Sequence, residues 1–349
     1  MCTRQHYPIR RNLLEKRITD RFNEAILKEA SARYGIKCDQ LEKLGGFESY
    51  IFKYSLNDAG YILRIAHSLR RSEKLIKAEV EWIRYLASNG VSVADGILSV
   101  NGNLVESVDD GHGGHFLATA FREVKGKPPG VFGWTDELFT DYGALMGQMH
   151  RLAKLYTPSH PQTERPLWNS SEMNDDVLIN LPVDQPVTRK RYEEIITHLE
   201  LLPTSRDSFG LIHFDAHGGN MLVEESGRIN LFDFDDCNMN WFINDLAVVL
   251  FYMVTNTKDP EGLAARFLPP FLTGYSREND LAPEWLAEIP TFLRMREIDL
   301  YAVIHRSFDV TKLDGWCNQF MDGRRGKIEN AEPYLNLNMD FSSFAEYMK

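Results

Sequence analysis

The sequence predicts an α+β protein in two parts, a strand-rich first third followed by a mainly helical remainder. Three observations carry this. Tyr50, Phe52 and Tyr54 alternate with other residues ahead of an "NDAG" turn and "YILRI", the pattern of a β-hairpin. "YGALMGQMHRLAKLY" and "INDLAVVLFYMV" have the spacing of helices, and the second is apolar enough to be buried. The strand signal stops near residues 121–130, where "KGKPPG" breaks the chain.

The elements follow in order. Residues 11–34 place Leu13, Leu14, Ile18, Phe22, Ile26 and Leu27 at helical spacing, which predicts one or two amphipathic helices before the hairpin. "SEKLIKAEVEWIRYLASNG" predicts a helix, with Ser72 as its cap and "NG" as its stop. "VADGILSV", "LVESV" and "HFLATAFREV" predict three further strands, the first two joined by an "NGN" turn. Beyond Phe139 the pattern is helical, with Leu145, Met149 and Leu152 on one face, and "TRKRYEEIITHLELL" is amphipathic. Short strands interrupt the helices between Gly210 and Asp236. The expected division is residues 1–122 for an N-terminal lobe and 123–349 for a helical C-terminal lobe.

The chain has 349 residues, a hydrophobic fraction of 43% and a formal net charge of −11. Such a charge repels phosphate backbones and argues against a nucleic-acid partner; it would attract a cationic small molecule, but serves solubility first. The longest apolar run, Leu246 to Val254, is too short to span a bilayer, and no apolar leader precedes the first helix. Four dispersed cysteines (Cys2, Cys38, Cys237 and Cys317) show no CxxC spacing and fit a reduced, cytoplasmic protein.

Chemistry concentrates in "GLIHFDAHGGNMLVEESGRINLFDFDD", residues 210–236. The first cluster is His213, Asp215, His217 and Asn220, with Gly218 and Gly219 allowing a tight loop that returns Asn220 toward Asp215. The second opens with Asp233 after an apolar strand. An Asp and an Asn on one loop and an Asp on the next form a set of hard oxygen ligands plus one base. That set suits Mg²⁺ shared with phosphates, leaving one carboxylate to orient a nucleophile and take its proton. Zinc is the competing reading of "HFDAH", but the usual second ligand pair is missing. His213, which follows "GLI", reads as a structural hydrogen-bonding residue.

These residues resemble the aminoglycoside phosphotransferase family, which includes choline kinase-like enzymes and has a protein-kinase-like fold. "HFDAHGGN" matches its H-x-D-x-x-x-x-N loop, "LFDFDD" its metal-binding Asp and "NDLA" its DLA segment. The resemblance extends over most of the chain. "LGGFESYIFKYSL" is similar to the family's shortened Gly-rich loop, "YILRIA" to its third strand, "KAEVEWIRYL" to its helix and "AFREVKG" to its hinge. No GxxxxGK[ST] segment occurs, which excludes a P-loop kinase.

The resemblance implies a two-lobed small-molecule kinase that uses ATP and Mg²⁺. Asp215 would be the catalytic base, Asn220 and Asp233 the metal ligands, and Asp245 the brace of the catalytic loop. Gly45, Gly46 and Ser49 would cover the phosphates. Arg64 would neutralise phosphate charge, paired with Glu79 in preference to Glu81. The backbone of Glu123 and Val124 would take the adenine. On the acceptor side, Asp236 and Trp241 are the expected contacts for an amine-bearing substrate, an antibiotic in the first instance. The alternatives are a metabolite kinase of homoserine, choline or hydroxylysine type, a protein Ser/Thr kinase, and a non-catalytic relative. Intact Asp215, Asn220 and Asp233 argue against the last. His217, where protein kinases carry Lys, argues against the protein kinase.

Overall fold

A computed structural model describes residues 16–46, 48–336 and 340–348, except for the side chains of 162 and 172–176. Leu13 and Leu14 lie outside that range. Two helices come first, Lys16–Thr19 (α1) and Glu24–Ala32 (α2), and the Asn23 side chain caps α2 by accepting from the Ile26 N–H at 3.1 Å. The strands β1 (Glu42–Gly45), β2 (Tyr50–Leu56) and β3 (Ala59–His67) follow. Asn57 and Asp58, with φ of 49° and 62°, make the two-residue turn between β2 and β3. Helix α3 (Glu73–Ser88) then starts at Ser72, whose hydroxyl accepts from the Leu75 N–H at 3.3 Å.

Strands β4 (Gly96–Ile97), β5 (Glu106–Asp109) and β6 (His115–Arg122) complete an antiparallel sheet of order β1-β2-β3-β6-β4, with β5 also on β6. The strand expected over "VADGILSV" is only two residues long. Just beyond it, Ser99 donates to Glu106 and accepts from the backbone of Asn101 and Asn103, so side-chain bonds replace the ladder.

Period-two alternation divides the sheet's faces. Tyr50, Phe52, Tyr54, Leu63, Ile65, Phe116, Ala118 and Ala120 pack with Ile26 and Ala30 of α2. Leu117 and Phe121 face the other way, joining Ile76, Val80 and Ile83 of α3 in a core that continues into the helical part. Arg64 lies between the buried Leu63 and Ile65 and points to this second face, toward α3.

The helical part is built from α4 (Asp136–Ala153), α5 (Ser171–Asn180) and α6 (Pro186–Leu199), then the short strands β7 (Phe209–Ile212), β8 (Met221–Val223), β9 (Ile229–Leu231) and β10 (Asn238–Trp241). Strand β7 pairs with β10 and β8 with β9, both antiparallel. Helices α7 (Phe242–Val254), α8 (Pro260–Ser276), α9 (Ile289–Ser307), α10 (Gly315–Met321) and α11 (Arg324–Glu329) close the chain. Nearly all of α7 is buried, as its uninterrupted apolar sequence predicts. No described helix is long and apolar enough to cross a membrane.

Candidate active site

The loop between β7 and β8 carries Asp215, and its shape is set from below. Asp245 of α7 accepts from the His213 N–H at 2.8 Å through one oxygen and from the Phe214 N–H at 2.7 Å through the other. Asp245 also meets His150 Nε2 of α4 at 3.1 Å, and His150 Nδ1 meets the Tyr275 hydroxyl at 2.9 Å. All three side chains are buried. This network holds Phe214 at a φ of 68°, a left-handed conformation that a bulky residue adopts only when its surroundings enforce it. The loop then turns so that Asn220 Nδ2 donates to both the backbone oxygen and Oδ2 of Asp215, each at 2.9 Å.

His213 ties the two acidic loops together. Its Nδ1 accepts from the Asp215 N–H at 3.3 Å, and its Nε2 donates to the Phe232 carbonyl at 3.2 Å. His217 Nδ1 accepts from the Gly219 N–H, and its Nε2 lies 3.3 Å from Asp215 Oδ2. All four imidazole nitrogens of the "HFDAH" cluster are therefore engaged by the two loops. Among the described residues no group of three or more His, Cys, Asp or Glu is placed to hold a metal.

Asp233 follows β9 with a φ of 68°, between Phe232, whose N–H bonds to the Asn220 carbonyl at 3.0 Å, and the buried Phe234, whose ring sits 4.2 Å from His213. The Asp233 side chain is open to solvent on one side, yet protein crowds it on the others. That crowding pushes its carboxyl up to about 8, with Asp235 and Asp215 adding to the rise and Arg64 opposing it. A carboxylate with no hydrogen-bond donor among the described residues, set near Asp235, Asp215 and Glu79, fits a divalent cation. So does Asn220, whose amide nitrogen is spent on Asp215 and whose oxygen has no donor among the described residues.

Asp215 behaves in the opposite way. Burial works against its charge, but His217 and Arg296 outweigh burial and hold the carboxyl below the ordinary range. One acid ready for a cation and one kept ionised is the division of roles the chemistry needs.

On the sheet side, Arg64 makes two parallel bonds to Glu79, Nη1–Oε1 at 2.8 Å and Nη2–Oε2 at 2.6 Å, and its Nε reaches Thr119 Oγ1 at 3.3 Å. Glu81 instead accepts from the Ser159 N–H. Gly45 and Gly46 have φ of 101° and 149°, and a Cβ at Gly46 would lie 1.9 Å from the Ser49 carbonyl oxygen. The loop between β1 and β2 can therefore turn only with glycine there. In the hinge, the Glu123 N–H is taken by the Gly60 carbonyl at 3.0 Å, while the Glu123 C=O and Val124 N–H have no backbone partner among the described residues. The next residues are fixed: Lys127 and Val223 exchange two backbone bonds of 2.9 and 2.8 Å. Gly126 has a φ of 124°, and a Cβ there would meet the Val223 oxygen at 2.6 Å.

Several residues escaped sequence reasoning. Arg71, just past β3, donates to Asp235 at 3.0 Å and Asp236 at 2.5 Å. Arg165 donates to the carbonyls of Leu75, Asp235 and Cys237, joining α3 to the Asp233 loop. Glu48, in the Gly-rich loop, pairs with Arg70 and with Arg306 at the end of α9. Arg296 of α9 donates to Asp215 Oδ1.

The acceptor side needs one correction. Trp241 is 1% exposed, donates its Nε1–H to the Pro203 carbonyl at 2.9 Å and packs against Trp168, so it is a core residue. Asp236 does lie beside the site, but Arg71 already pairs with it. Burial raises its carboxyl to about 6 with Asp235 contributing, although the side chain keeps 42% exposure. Asp299 of α9 is 6% exposed and its Oδ1 has no partner among the described residues. Tyr252 has its ring 4.5 Å from that of His217, in a tilted contact, and stacks with Trp316 at 6.5 Å.

The model of the APH phosphotransferase enzyme family matches residues 42–289, which includes every one of these loops. The chain belongs to that family. It is a phosphotransferase, a kinase acting on the hydroxyl of a small molecule. The amicoumacin kinase of Bacillus subtilis (strain 168) is 37% identical over 324 residues, 92% of this chain and 95% of that protein. A solved amicoumacin kinase in complex with AMP-PNP, Ca²⁺ and Ami superposes with a TM-score of 0.88 at 34% identity, covering 95% of this chain and 99% of that one. A microcompartment-associated aminopropanol kinase, at 18% identity and a TM-score of 0.67 over 93% of this chain and 95% of that one, shares the fold.

Proposed function

We propose that this family member transfers the γ-phosphoryl group of ATP, with Mg²⁺, to a hydroxyl of amicoumacin or a chemically similar amine-bearing antibiotic, and so acts in resistance within the cytoplasm. The observation that carries the phosphoryl-transfer reading is the division between Asp215, ionised and hydrogen-bonded, and Asp233, crowded and without a donor. The likeness across 92% of the chain to an amicoumacin kinase supports the acceptor. Asp236 near the base, with Asp299 close to Asp236, supports an ammonium on it.

Asn220 Oδ1 and Asp233 would hold the metal, which draws charge from the β- and γ-phosphates when bound. Arg64 meets the phosphates on the other side, with Glu79 fixing its plane. Glycines 45 and 46 let the backbone approach them. Asp215 orients the acceptor hydroxyl toward the γ-phosphorus. As the O–P bond forms, the bond to the β–γ bridging oxygen breaks and its electron pair leaves with ADP. Asp215 takes the hydroxyl proton late, so a weak base suffices. The test is ADP release and a gain of one phosphoryl mass on the acceptor. Amicoumacin should be the best substrate among it, aminoglycosides, choline and hydroxylysine. Preference for an amino alcohol metabolite would move the function to metabolism.

A further inference from the structure

The base of this site is held by a cation from a distant helix. Arg296 Nη2 donates to Asp215 Oδ1, and also to the Tyr252 hydroxyl at 2.8 Å. Its guanidinium lies 5.4 Å from the Phe214 ring centre and 5.2 Å from that of Tyr252. The residue is 9% exposed, and its Nε has no partner among the described residues. An ion pair kept for stability alone would have its donors filled. Here one nitrogen serves the base and another is left bare.

Charge gives this arrangement a purpose. Asp215 stands near Asp233 and Asp236, and Asp299 lies near Arg296 and Asp236. A triphosphate must enter the same space. Arg64 is committed to Glu79, and Arg71 to Asp235 and Asp236. Arg296 is the arginine that bonds to the Asp215 carboxylate itself. It leaves Oδ2 to Asn220 and His217, so both carboxylate oxygens are held and the plane of the group is set.

We infer that Arg296 is a positioning residue for phosphoryl transfer: from α9 it fixes the carboxylate plane of Asp215 and offsets its charge as the phosphoryl group approaches. Its cation reaches Oδ1 from outside the loop, while His217 of the loop lies beside Oδ2. The inference rests on Asp215 being the base.

The experiment compares Arg296→Met, Arg296→Lys, Arg296→Ala and Asp215→Asn in the full chain, with ATP, Mg²⁺ and the best acceptor. Circular dichroism and nucleotide-dependent thermal shift report folding. Loss of one charge-assisted bond to the base should lower kcat of Arg296→Met by about 10- to 100-fold. The acceptor KM and the nucleotide affinity should stay close to those of the parent protein. Lys should recover much of the loss. Added guanidinium chloride should raise kcat of Arg296→Ala saturably, an effect that a structural role would not give. Parent-like kcat in Arg296→Met, a change confined to acceptor KM, or equal losses in Met and Lys with no guanidinium response would each overturn the inference. Should Arg296→Met not fold, the Lys and guanidinium arms decide it. Turnover retained in Asp215→Asn would instead remove the base, and the reading beneath, whatever Arg296 does.

Discussion

Arg64 of β3 and Glu79 of α3 are joined by two parallel bonds of 2.8 and 2.6 Å, in a place where Glu79 is 1% exposed. The pair fixes α3 against the sheet and sets the plane of the cation proposed to face the nucleotide. Removing one partner strands the other charge, which in buried pairs costs about 3–5 kcal/mol. Arg64→Ala is expected to lose stability of that order in urea unfolding and to weaken nucleotide binding. Arg64→Lys should restore stability only in part, because an ammonium cannot make the double contact. Glu81→Gln is the control and should leave nucleotide affinity unchanged.

Asp245 places the catalytic loop without touching the reaction. Asp245→Asn turns an NH₂ toward one of the two backbone N–H groups that the carboxylate now serves. The expected result is a fall in kcat of about 10²-fold with little change in nucleotide affinity, since a misplaced group near the chemistry costs about that much. Steady-state kinetics beside a nucleotide thermal shift would check it. Parent-like kcat would show that the loop holds its shape without this brace.

Sequence patterns found what is contiguous. The loop from His213 to Asn220 and the Asp233 that follows are short runs whose residue types state their chemistry, and "YILRIA" pointed to Arg64 through its resemblance to the family's third strand. The choice of Glu79 over Glu81 also came out as the geometry has it. Arg296, Arg71, Arg165 and Arg306 were illegible because their partners lie on distant elements, and a lone arginine on a helix looks like any solvated charge. Trp241 failed for a related reason. Its nearness in sequence to the Asp233 loop suggested the acceptor, but it ends β10 and turns into the core beside Trp168.

Asp299 gives a pH test. Burial raises its carboxyl to about 7, with Asp236 adding and Arg296 opposing. An unfolded chain releases that proton near 3.9. The folded state keeps its proton longer, so the contribution of Asp299 to stability is full below about 3.9 and is lost as pH rises through 7. Asp299→Asn, which mimics the protonated acid, should melt higher than the parent protein. The gap should widen from pH 4 to 7 and then level off. A gap independent of pH would mean that Asp299 is ionised throughout.

In the proposed mechanism Asp215 is the base and Asp233 a metal ligand. The most direct measurement sets Mg²⁺–ATP affinity against turnover in Asp215→Asn and Asp233→Ala. Asp215→Asn should lower kcat by about 10²–10⁴-fold, the range of a positioned acid–base group, while nucleotide affinity stays near the parent value. Asp233→Ala should lose both the Mg²⁺-dependent affinity and the turnover. An equal loss of Mg²⁺–ATP affinity in the two variants, or near-normal turnover in Asp215→Asn, would contradict the assignment.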